Sequence, residues 1–132
     1  MKQRLVHFPD TSDLPTLPSV ILILGGTNDL KKVPVTTTVA NLQAMHKLAA
    51  GWGAVVGVLA LPRFLDPKVG SASKRSGVND ALADLQRSYR FPSFFVNLTA
   101  VPPSHLYDGL HFTSHGYFML AELIAQKLWL WL

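Results

Sequence analysis

The 132-residue chain is 48% apolar, which fits one domain with enough apolar content for a buried core. Its 12 Lys and Arg against 8 Asp and Glu give a net charge of +4. The basic residues are dispersed, without interleaved aromatics, which argues against a nucleic-acid partner. No cysteine is present, so disulfides and thiol chemistry are excluded.

The first fifteen residues lack the apolar core of a secretion signal. The greasiest stretch, residues 117–132, contains Glu122, Gln126 and Lys127 and is too short and polar to span a bilayer. A cytoplasmic location is therefore the default expectation. One domain, 1–132, is expected, with an irregular segment over 1–18 and an α/β core over 19–132. Within the first segment, RLVHF at 4–8 reads as a short strand, and Pro9, Pro15 and Pro18 mark a loop.

The core opens with a strand over 19–24, whose unbroken apolar run suits burial on both faces. Gly25 and Gly26 then allow a sharp turn into Thr27, Asn28 and Asp29. Side chains at the carboxyl end of such a strand stand where open α/β sheets bind ligands. A helix follows over 36–50, with Val39, Leu42, Met45 and Ala49 on one face and Gly51 as its stop. A second buried strand spans 54–61, and a loop rich in Pro, Gly, Ser and Lys fills 62–76. The next helix, over 77–89, presents Val78, Ala81, Leu82, Leu85 and Tyr89 on one side. A third strand spans 94–98. The last helix starts near Ser114 and is expected to bury Tyr117, Leu120, Ala121, Ile124, Leu128 and Trp131, with the closing LWLWL as its final packed turn or as part of an interface. Strand and helix alternating three times implies a doubly wound α/β sheet with parallel crossovers.

Before the last helix stands Tyr107-Asp108-Gly109-Leu110-His111. An Asp three residues ahead of a His lets the carboxylate hold the Nδ1 hydrogen and stabilise the imidazolium formed when the ring takes a proton. The plainer reading is a capping Asp beside a surface His. His105, Asp108, His111 and His115 also crowd eleven residues, but they lack the Glu of a zinc-protease helix, and neither a metal nor another cofactor is expected.

GGTND and DGLH resemble the Gly-x-Asn-Asp and Asp-x-x-His blocks of the SGNH, or GDSL-type, hydrolase superfamily. The order, the strand before the first block and the helix after the second also match, so the resemblance covers roughly residues 18–126. It implies a flavodoxin-like three-layer α/β/α fold with a mostly parallel sheet. It implies carboxylic ester hydrolysis by Ser-His-Asp-type acyl transfer, with His111 as base, Asp108 as its partner and Asn28 as an oxyanion donor. Gly26 and Thr27 would line the substrate site, and a small-molecule, lipid or sugar ester would be the substrate.

The family's Gly-Asp-Ser turn, which carries the nucleophile, is missing, so the chain reads as N-terminally truncated relative to the family. Phe8-Pro9-Asp10-Thr11-Ser12 only faintly echoes that block, with Thr11 or Ser12 as the candidate nucleophile. The six residues after Ser12 are too few for a parallel crossover. In a flavodoxin-like order, the missing first strand would leave the strand at 19–24 with an open edge, through which copies of the chain could associate. A non-catalytic binding or subunit module of the same fold is the alternative.

Overall fold

The structure is a computed structural model and describes residues 18–131. The predicted strand at 4–8, Thr11 and Ser12 lie outside the described residues. Three parallel strands, β1 (Val20–Ile23), β2 (Val55–Leu59) and β3 (Ser93–Val96), form one sheet in the order β1-β2-β3. Three helices alternate with them: α1 (Val35–Gly51), α2 (Ala72–Ser88) and α3 (Ser114–Leu128). Among the described residues no helix is long and apolar enough to cross a membrane.

The unbroken apolar strands are explained by cores on both faces. On one face Ile23, Val56 and Val58 pack with Leu42, Met45 and Ala49 of α1 and Val78 and Leu82 of α2. On the other, Leu59, Phe94 and Val96 meet Leu120, Leu123, Ile124 and Leu128 of α3. The result is a three-layer, flavodoxin-like α/β/α arrangement.

Gly57 lies in the middle of β2, paired with Leu22 on one side and Phe94 on the other. A Cβ there would come within 2.5 Å of Leu22 Cδ2 and 3.0 Å of the Phe94 ring. The glycine lets these two side chains close over the central strand beneath α3.

Two spans differ from the sequence expectation. Helix α2 starts at Ala72 rather than 77, because Ser71 caps it by accepting the Lys74 N–H on Oγ at 3.1 Å. Helix α3 packs through Leu120, Leu123, Ile124 and Leu128, leaving Tyr117 55% exposed. Ala121 is exposed as well. The chain tightens into a 3-10 turn at Trp129–Trp131, where Trp129, Leu130 and Trp131 are exposed at 80%, 79% and 42%.

A buried polar contact ties α1 to the end of α2. His46 Nδ1 lies 2.8 Å from the Tyr89 hydroxyl, with the rings edge-on. Burial pulls His46 down to about 4 and pushes Tyr89 up to about 12.

Two outcomes are expected. Gly57→Val forces Leu22 and Phe94 apart and lowers urea-denaturation stability by about 1–3 kcal/mol. For His46, the unfolded imidazole binds a proton below its ordinary 6.5, whereas the folded one stays neutral to about 4. Stability is therefore retained above pH 6.5 and falls by on the order of 2–3 kcal/mol as pH drops from 6.5 to 4. Denaturation midpoints across that range would show the slope, and His46→Gln would flatten it.

Candidate active site

The carboxyl ends of the strands place the two sequence motifs on one edge. After β1, Gly25 is buried and Gly26 adopts φ 100°, where a Cβ would lie 2.9 Å from Thr38 Cγ2. The turn Thr27–Asp29 is a single 3-10 turn, closed by the Asp29 N–H donating to the Gly26 carbonyl at 3.0 Å. The Asp29 carbonyl accepts from Lys32 and Val33 N–H at 3.0 and 2.8 Å, so this residue holds the loop through its main chain. Asn28 is exposed at the tip.

The second loop is shaped by its own Asp. Asp108 Oδ1 accepts the N–H groups of Leu110 and His111 at 2.9 and 2.7 Å, while Oδ2 lies 2.6 Å from His111 Nδ1. One carboxylate oxygen thus closes the loop on its own main chain, while the other meets the imidazole. The His111 backbone N–H, followed by the ring contact, lowers the Asp108 carboxyl to about 2. Asp108 is consequently anionic wherever an imidazole titrates. With Nδ1 turned to the carboxylate, Nε2 is left as the other face of the ring.

Neighbouring bonds fix the loop in place. Gly109 takes φ 81°, and the Tyr107 N–H donates to the His111 carbonyl at 3.0 Å. Thr113 Oγ1 caps α3 by accepting the Gly116 N–H at 3.1 Å. The Leu65 N–H donates to the Gly109 carbonyl at 2.7 Å, tying the loop to the segment that follows β2. That segment is held in turn by Asn79, which is buried in the middle of α2 rather than at its start. Asn79 Oδ1 accepts the Leu61 N–H at 2.7 Å and its Nδ2 donates to the Leu61 carbonyl at 2.9 Å.

Thr27, Asn28 and His111 line one cavity of about 260 Å³, closed by Leu24, Pro62, Arg63, Phe64, Leu110, Phe112, Tyr117 and Leu120. Gly26 sits beneath the turn and is not among the lining residues. Sequence reasoning missed the walls from 63–64. Their signal was the strand end at Pro62, which the same sheet-edge rule points to. The His105 and His115 rings lie 4.7 Å apart, tilted by 50°, and no three His, Asp or Glu side chains converge for a metal among the described residues.

No family model and no curated protein matches the chain. Solved structures do. A GDSL-like lipase from Bacteroides thetaiotaomicron superposes with a TM-score of 0.77 at 23% identity, over 87% of this chain and 64% of that one. A carbohydrate esterase family 3 protein from Talaromyces cellulolyticus gives 0.72 at 19%, over 84% and 57%. A lipase/acylhydrolase from Enterococcus faecalis gives 0.70 at 22%, over 84% and 61%. The chain thus spans less than two thirds of the length of these proteins.

Asn79→Ala strips both bonds from Leu61. It is expected to cost about 2–4 kcal/mol in denaturation and to speed amide hydrogen exchange at Leu65.

With three parallel strands, helices on both faces and superpositions on a lipase, an esterase and an acylhydrolase, the chain has the fold of the SGNH, or GDSL-type, hydrolases.

Proposed function

We propose that this chain supplies the general base and an oxyanion donor for hydrolysis of carboxylic esters. The observation that carries the reading is the 2.6 Å contact between Asp108 Oδ2 and His111 Nδ1 on the wall of the cavity that Asn28 also lines. In the reaction, His111 Nε2 takes the proton of a nucleophilic hydroxyl as its oxygen attacks the ester carbonyl. Asp108 stabilises the resulting imidazolium, and the Asn28 side-chain N–H groups donate to the oxyanion. The imidazolium then passes its proton to the leaving alkoxide, and water repeats the sequence on the acyl intermediate. Thr27 contributes to the wall against which the ester lies. Small-molecule, lipid and sugar esters all belong to this class.

The nucleophile is the open element. Thr27 and Tyr117 carry the hydroxyls that line the cavity, and Thr11 and Ser12 lie outside the described residues. This scarcity favours, as a second reading, a module that binds esters without turning them over. In either case β1, which pairs only with β2 among the described residues, offers the edge at which a second copy would associate.

Intact mass after incubation with a fluorophosphonate tests the choice, because the reagent traps an activated Ser or Thr beside a working base. A stoichiometric adduct that His111→Ala abolishes is the expected result for the hydrolase, and peptide mapping then names the nucleophile. A folded chain that binds ester but forms no adduct and releases no acid is the binding module.

A further inference from the structure

A second cavity, of about 240 Å³, opens on the far side of the Asn28 turn. It is lined by Thr27, Asn28, Lys31, Lys32, Lys68 and Val69. Thr27 and Asn28 therefore form a wall shared with the cavity of His111. A ligand crossing it would span one or two residues, on the order of 4–8 Å.

The lysines reach this cavity from two distant turns. Lys31 and Lys32 follow the Thr27–Asp29 turn, held by the Lys32 N–H donating to the Asp29 carbonyl at 3.0 Å. Lys68 stands in the turn after Asp66, whose Oδ1 accepts the Lys68 N–H at 2.9 Å. Gly70 brings the two turns together: at φ 151° its backbone lies so near Leu30 that a Cβ would meet Leu30 Cβ at 2.7 Å. The ion pairs among the described residues are Arg87 with Asp84 and His111 with Asp108, so no lysine of the three has a carboxylate partner there. Asp29 and Asp66 flank the turns, but among the described residues no Asp or Glu lines either cavity. Lys31, Lys32 and Lys68, all exposed, border this one cavity, and their like charges raise the positive potential in it.

We propose that this cavity is a subsite for an anionic group, a carboxylate or phosphate, borne by the ester a short distance from its scissile carbonyl. The assignment rests on the hydrolase reading of the neighbouring cavity and narrows its substrates to negatively charged small esters.

Monomethyl succinate and its uncharged counterpart dimethyl succinate are the probes, titrated into the 15N-labelled chain at low and high salt. The monoanion is expected to shift the amides of Asn28, Lys31 and Lys68 and to bind at least about tenfold tighter than the diester. That preference shrinks as salt is raised. It is lost in a folded K31Q/K32Q/K68Q variant and reversed in K31E/K32E/K68E. Equal binding of the two esters, or a preference that survives the glutamates, overturns the subsite. Sedimentation with phosphatidylglycerol vesicles that the glutamates abolish, without a succinate preference, assigns the lysines to a lipid surface and also overturns it. Turnover is followed separately. Absence of hydrolysis with the preference intact removes the hydrolase reading and leaves the subsite, whereas hydrolysis of both esters with equal binding does the reverse.

Discussion

The buried amide of Asn79 holds the geometry of the site together. Its two bonds to Leu61 fix the chain at the point where β2 has ended and no sheet partner remains for the main chain. A side-chain amide can answer both a backbone N–H and a carbonyl at once, so it substitutes for a strand neighbour. From there the order is passed on: Leu65 N–H to the Gly109 carbonyl, then Asp108 to His111. A bonded chain thereby runs from α2 to the loop that carries the imidazole.

The sheet itself is less evenly supported. Its α1–α2 face is continuous from Ile23 to Leu82. The α3 face is closed at its centre, where Gly57 lets Leu22 and Phe94 meet, but it opens toward β1, where Leu22 and Leu24 are each 40% exposed. Tyr117 and Phe118 on α3 are exposed at 55% and 58%. Parallel sheets are usually covered on both faces, so these exposed apolar side chains mark where cover is incomplete.

What the sequence made legible followed local rules. The apolar run into Gly25-Gly26 located β1 and its turn, and the Asp108 to His111 spacing located the ring contact, because each depends on residues within a few positions of one another. The start of α2 was hidden because Ser71 and Lys74 read equally well as loop, and only the cap identifies them. The face of α3 is only partly legible for a different reason: Leu120, Ile124 and Leu128 pack as expected, whereas Tyr117, Ala121 and Trp131 do not. With Tyr117, Phe118, Leu120, Ala121, Leu123 and Ile124 nearly surrounding the helix, periodicity cannot say which third meets Phe94 and Val96. The bonds of Asn79 to Leu61 join residues eighteen positions apart, so no local pattern announces them, whereas the walls at Arg63 and Phe64 are signalled by the strand end at Pro62.

The exposure of the Asp108–His111 couple bears on what Asp108 does. Water screens charges at the surface about fourfold more than at an effective dielectric of 20, so the attraction of a carboxylate for an imidazolium is modest while both face solvent. Its geometric effect is not reduced in the same way. One carboxylate oxygen is fixed by two backbone N–H groups, and the other therefore has a set direction in which to hold Nδ1. In the proposed reaction that leaves Nε2 as the nitrogen that takes the proton, whatever the dielectric. A ligand filling the cavity between Asn28 and His111 would displace water from this side of the ring and strengthen the electrostatic part. The loop thus supplies orientation in advance, and the charge stabilisation grows with occupancy of the site.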